Sequence, residues 1–109
     1  MIQIPLKFLP DTMTVRELDT STDYEGTYQA PYTIEHVRFE PVEAINQNAY
    51  KIADGARGRI FIDAVNSTPA KAPMLGSKVS INDALNMRVL TCTPYQGIDA
   101  IHHWEVDVG

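Results

Sequence analysis

Arg59-Ile60-Phe61-Ile62-Asp63-Ala64-Val65 is apolar on both faces as far as Asp63. A run of this kind predicts a strand in the centre of a sheet, covered on both sides. Downstream, residues 78–81 and 86–93 alternate around Asn82-Asp83 and predict a hairpin. Val79 and Ile81 point one way. On the return, Met87 and Val89 share a face while Leu90 and Cys92 take the other. Pro94-Tyr95-Gln96-Gly97 reads as a turn. The last strand, 101–108, puts His102, Trp104, Val106 and Val108 on one face and His103, Glu105 and Asp107 on the other.

Upstream, residues 12–18 form a strand with Met13 and Val15 on one face and Arg16 on the other. Residues 19–31 are polar and predict an exposed hairpin tip. In the strand 32–40, Val37 and Phe39 alternate but Ile34 falls on the opposite face, and a bulge between them would repair the register. Residues 66–73 are too polar and too broken by proline for a strand. Short alternating runs punctuated by Pro, Gly, Asn and Asp, without an internal repeat, predict an all-β sandwich or barrel. Its expected core is Val37, Phe39, Ile60, Ile62, Val79, Val89, Trp104 and Val106, with Trp104 as the plug.

The stretch 42–58 differs in character. Ile45, Ala49, Ile52, Ala53 and Ala56 fall at helical spacing, Asn46-Gln47-Asn48 is polar, and Gly55 and Gly58 close the run. It predicts either one short helix or a loop that orders only against a neighbour.

With 109 residues, the chain fits one domain, expected to span 1–109. Hydrophobic residues make up 44% and charged residues 21%, so disorder over the whole length is not expected. One cysteine cannot form an internal disulfide. The opening Met1-Ile2-Gln3-Ile4-Pro5 lacks a basic leader and does not read as a signal peptide. A net charge of −5 argues against broad gripping of nucleic acid, though not against lying beside DNA that must slide past.

Residues that bear chemistry do not assemble into a motif. His102 and His103 are adjacent on a strand, so they point to opposite faces and are poorly placed to share a metal ion, even with His36. Cys92 with a histidine and Asp99 could mimic a thiol nucleophile site, but a thiol inside a strand is more often inert. Asp63 reads as an exposed strand-end aspartate. Gly55-Ala56-Arg57-Gly58 is too short for a phosphate loop, and Arg57 and Arg59 beside it could serve a phosphate or a neighbouring subunit. Tyr24, Tyr28 and Tyr32 lie among acidic residues and make no base-stacking platform of the basic kind. No enzyme, cofactor or metal is expected from these residues.

Four segments, in order, carry a family resemblance: His36-Val37-Arg38-Phe39-Glu40-Pro41-Val42, Ile60-Phe61-Ile62-Asp63-Ala64-Val65-Asn66-Ser67-Thr68-Pro69, Gly76-Ser77-Lys78-Val79 and Ile101-His102-His103-Trp104-Glu105-Val106-Asp107-Val108. Together they resemble the small minor capsid or head–tail connector proteins of long-tailed phages. The resemblance implies a small antiparallel β-barrel of the stopper, or head-completion, type in the virion at the head–tail interface, made in the host cytoplasm. It implies a homo-oligomeric ring with a portal or adaptor ring above and tail proteins below, with packaged DNA in the channel and no membrane. It also implies that the insert, about 43–58, projects into that channel as the stopper. Ile45 and Ile52 would then pack between loops, Asn46, Gln47 and Asn48 would hydrogen-bond across them, and Glu43 and Arg57 would belong to the same loop. Competing readings are a tail terminator or tail-completion ring, a His-based metal-binding barrel using His36, His102 and His103, and a module that captures peptides on an open sheet edge.

Overall fold

The computed structural model describes residues 4–17, 28–42, 53–97 and 100–109. Six strands close into an antiparallel barrel in the order β1-β2-β3-β6-β5-β4. They are β1 (Asp11–Arg16), β2 (Tyr32–Pro41), β3 (Gly58–Asp63), β4 (Lys78–Ile81), β5 (Leu85–Gln96) and β6 (Ile101–Val108). A 3-10 turn, Leu6–Phe8, precedes β1. The resemblance therefore chose correctly between sandwich and barrel. Closure pairs β1, β3 and β6 along most of their length, and the later part of β5 is a one-sided stretch among the described strands.

The interior is aliphatic. Met13, Val15, Ile34, Val37, Ile60, Ile62, Val79, Ile81, Met87, Val89, Val106 and Val108 form one buried cluster. Phe39 and Trp104 are only partly buried and pack against it. Trp104 is thus not a plug. It sits where β5 and β6 pair, opposite Pro94, midway along its strand. A six-stranded barrel is too narrow to fill with an indole when branched aliphatics from every strand already meet inside.

The bulge expected in β2 falls at His36. Asp11 pairs with Val37 and Thr12 with Glu35, so His36 is the extra residue. It adopts φ 61°, and Ile34 and Val37 both face inward, fully buried. This lets one strand serve two neighbours. β1 pairs with residues 32–37 of β2, and β3 pairs with residues 37–41.

The bulge is held from outside by the segment after β3. The Ser67 hydroxyl donates to the His36 carbonyl at 2.6 Å and accepts the Asp63 N–H at 2.8 Å. Glu35 and Thr68 exchange both backbone hydrogen bonds. Asp63 is the organiser. It is fully buried, not exposed as its position in the sequence suggests. Its Oδ2 accepts the N–H groups of Val65 and Asn66, and its Oδ1 accepts that of Ile4. A carboxylate that takes three backbone donors can be buried without a cation.

Two further expectations are corrected. Pro94-Tyr95-Gln96 is strand, not turn, and the reversal lies after it, where the Gly97 N–H donates to the Ala100 carbonyl. β4 pairs only with residues 85–88, so β5 beyond Val89 has one strand neighbour, and such a position tolerates proline. Cys92 faces the core as Val89 does, because the register shifts between Val89 and Thr91 and leaves Leu90 outside. The hairpin expected at Asn82-Asp83 is present, with both residues at positive φ.

The strain at His36 gives a direct test. A β-branched residue is costly at positive φ, whereas asparagine is tolerated there. His36→Val should lower stability by about 1–2 kcal/mol, while His36→Asn should stay near wild type by thermal melting. Equal melting temperatures for the two would refute the assigned bulge.

Candidate functional site

By strand direction, the β2–β3 insert, the β4–β5 turn and the end of β6 share one end of the barrel. The insert leaves the barrel at Pro41, which pairs with Gly58 where the chain returns. Gly58 has no room for a side chain. A Cβ there would run into the Phe39 ring and lie 2.6 Å from the Glu40 carbonyl. Gly55, at φ 81°, makes the preceding turn.

Both sides of the insert's foot are tied down. The Val42 N–H donates to the Arg57 carbonyl at 3.0 Å, and the Arg57 N–H donates to the Val108 carbonyl at 2.6 Å. The Ala56 N–H donates to Ala53 at 3.1 Å, and the Ala53 N–H donates to Asp107 Oδ2 at 3.0 Å. Asp107 points outward from β6, yet only 5% of it is exposed. Its carboxylate also receives Arg59 Nε at 2.6 Å and Nη2 at 3.3 Å, while Arg59 Nη1 reaches Glu105 at 3.1 Å. The hydrogen bond that Arg59 donates to Asp107 holds the Arg59 pKa above its ordinary value, against the opposing effect of burial. Two ion pairs of Arg59 thus join β3 to β6, and Asp107 also holds the foot of the insert.

Of the residues expected in the stopper segment, Glu43, Ile45, Asn46, Gln47, Asn48 and Ile52 lie outside the described residues. Arg57 is described. It is exposed at the foot, and its guanidinium donates to the Asn86 carbonyl at 3.3 Å. Asp107 and Glu105 were not singled out from sequence. The signal was faint, because Arg59 opposite Asp107 becomes visible only once β3 and β6 are known to pair.

The histidines meet despite their alternation. His102 Nδ1 and His103 Nδ1 are 2.8 Å apart, and His103 Nε2 lies 2.9 Å from Glu105 Oε2 while its ring stacks on Tyr95. His36 is exposed on the bulge. Among the described residues no group of three or more His, Cys, Asp or Glu side chains is placed to hold a metal ion. Burial pushes the Cys92 thiol above its usual pKa, the reverse of what a nucleophile needs. Asp99 lies outside the described residues. Cys92 instead lines an apolar surface cleft of about 540 Å³ with Trp104, Pro94, Pro73, Met74 and Leu75.

The fold and the site define a small all-β barrel built to present a clamped insert at one end. The chain matches the family model described as minor capsid protein over residues 5–108, and it belongs to that family. It is therefore a structural component of a virion. No curated protein matches the chain. No solved structure matches it either.

The clamp makes a prediction. Removing one partner of a buried pair costs about 3–5 kcal/mol, whereas replacing both by apolar residues is often close to neutral. Asp107→Ala should therefore lower unfolding free energy in urea by about 3 kcal/mol. Adding Arg59→Met to that variant should recover part of the loss. A double variant worse than Asp107→Ala would show that the pair does not act as a unit.

Proposed function

We propose that this minor capsid protein completes the filled head. Copies would form a ring beneath the portal or an adaptor ring, retain the packaged DNA, and offer the surface on which the tail docks. The observation that carries this reading is the clamped insert. A closed barrel gives a rigid collar, and both ends of the insert leave that collar at fixed points. The chain leaves and rejoins one end of the barrel through hydrogen bonds and an ion pair made outside residues 43–52.

The mechanism is mechanical. In a ring each barrel contributes one insert, and inserts that contact each other weakly in pairs hold strongly when many meet on one axis. Ile45 and Ile52 supply apolar contacts between inserts, and Asn46, Gln47 and Asn48 supply hydrogen bonds. Opening requires only that these contacts exchange, because the clamp at Asp107 and Arg59 keeps the barrel intact while the inserts move.

The test separates insert from barrel. Residues 43–52 are replaced by a short Gly-Ser link, leaving Val42, Ala53, Gly55, Arg57 and Gly58 in place. The protein should keep its melting temperature within a few degrees, and particles assembled with it should release their DNA. Particles that retain DNA would refute the stopper role of the insert.

A further inference from the structure

The outer face of β1, β4 and β5 carries a row of like charge. Arg16 lies directly opposite Lys78, and Lys78 directly opposite Arg88, so three cations stand side by side across three adjacent strands. All three are exposed. Neighbouring strands are about 4.8 Å apart, and like charges directly opposite each other destabilise a sheet. The neighbouring row is Thr14, Ser80 and Asn86, again directly opposite one another, and Arg57 reaches across to the Asn86 carbonyl. These residues line an open cleft of about 530 Å³.

The contacts of these cations are neutral. Arg16 Nε donates to the Gln29 carbonyl at 3.3 Å, and Lys78 Nζ sits 4.3 Å from the centre of the Tyr28 ring. Such contacts steady a side chain and leave its charge in place. Among the described residues, the ion pairs are made by Arg38, Arg59 and His103, not by this row. The chain as a whole is acidic, at −5, so the row is not a by-product of a basic composition.

We propose that this face binds the phosphate backbone of double-stranded DNA. Arg and Lys flanked by Ser, Thr and Asn on a sheet surface is the side-chain set that contacts phosphate oxygens without reading bases. A second copy of the chain is a poorer partner. Its described carboxylates do not oppose the row: Glu40, Glu105 and Asp107 are ion-paired with arginines, Asp63 is buried, and Asp11 and Glu17, held by neutral donors, lie at opposite ends of β1. Glu35, Asp54 and Asp83 stand on separate elements and form no matching row. Duplex DNA offers a charge about every 1.7 Å along its axis and satisfies the row at any sequence. The proposal rests on the head-completion reading for the source of that DNA, the genome held in the particle.

The test is an NMR titration of the full chain with a random-sequence duplex. Amide shifts should concentrate at residues 14–16, 78–80 and 86–88. Affinity should fall about 40-fold between about 50 and 200 mM salt, the slope of about −2.7 expected for three phosphate contacts. The double variant Lys78→Gln/Arg88→Gln should bind at least tenfold more weakly and melt no lower than wild type, since it removes repulsion. Arg38→Gln, which alters a cation elsewhere, should bind as wild type does. Absent shifts, or unchanged binding by the double variant, would overturn the proposal. So would a polyglutamate peptide that moves these amides when the duplex does not, which would assign the row to an acidic protein segment. Failure here would leave the insert test standing, because the chain with residues 43–52 replaced keeps the row.

Discussion

Strand β2 has to serve two neighbours at once, and the bulge at His36 lets it do so. Without the extra residue, Ile34 and Val37 would face opposite sides of the sheet, and half of the strand would turn apolar side chains to solvent. With it, both are buried, β1 can pair below and β3 above, and the sheet can curl far enough to close. The bulge does not stand alone. Asp63 folds the chain after β3 into a turn, the turn delivers Ser67 and Thr68, and these hold the backbone on both sides of His36. Barrel closure therefore depends on one buried carboxylate about thirty residues away in sequence.

The same logic appears at the foot of the β2–β3 insert. Asp107 is a second buried carboxylate that collects backbone and side-chain donors, this time to fix the foot of the β2–β3 insert. A buried ion pair adds little net stability compared with an apolar pair, but it specifies geometry. Here it fixes the points at which the chain leaves and rejoins the barrel. Gly58 completes the arrangement by letting Phe39 and Glu40 approach the returning chain. The outer face of β1, β4 and β5 is different in kind, since its cations face each other with neutral partners, a cost the fold itself does not require.

Much of the fold was legible in the sequence. Period-two alternation placed β2, β4 and β6 almost to the residue, and the phase break between Ile34 and Val37 announced the bulge. Pairing was less legible, because alternation says which face a residue takes and nothing about which strand lies opposite. Arg59 and Asp107 are consequently unremarkable until β3 and β6 are neighbours. Asp63 was misread because an aspartate at a strand end is usually solvated, and its three donors come from residues 4, 65 and 66. Pro94 misled for a related reason, since proline marks a turn only where a strand has partners on both sides. Trp104 was assigned to the core by size alone, whereas a narrow barrel favours aliphatic branches inside and leaves the indole at the side. The choice of barrel over sandwich came from the family resemblance and not from periodicity.

Membership of the minor capsid family makes the chain a virion component. In the proposed role it seals the filled head and receives the tail. The most direct test is a nonsense mutation in this gene in the parent virus, with the lysate imaged by electron microscopy. The account predicts free tails beside tail-less heads that have lost their DNA. Full heads with tails attached would contradict it.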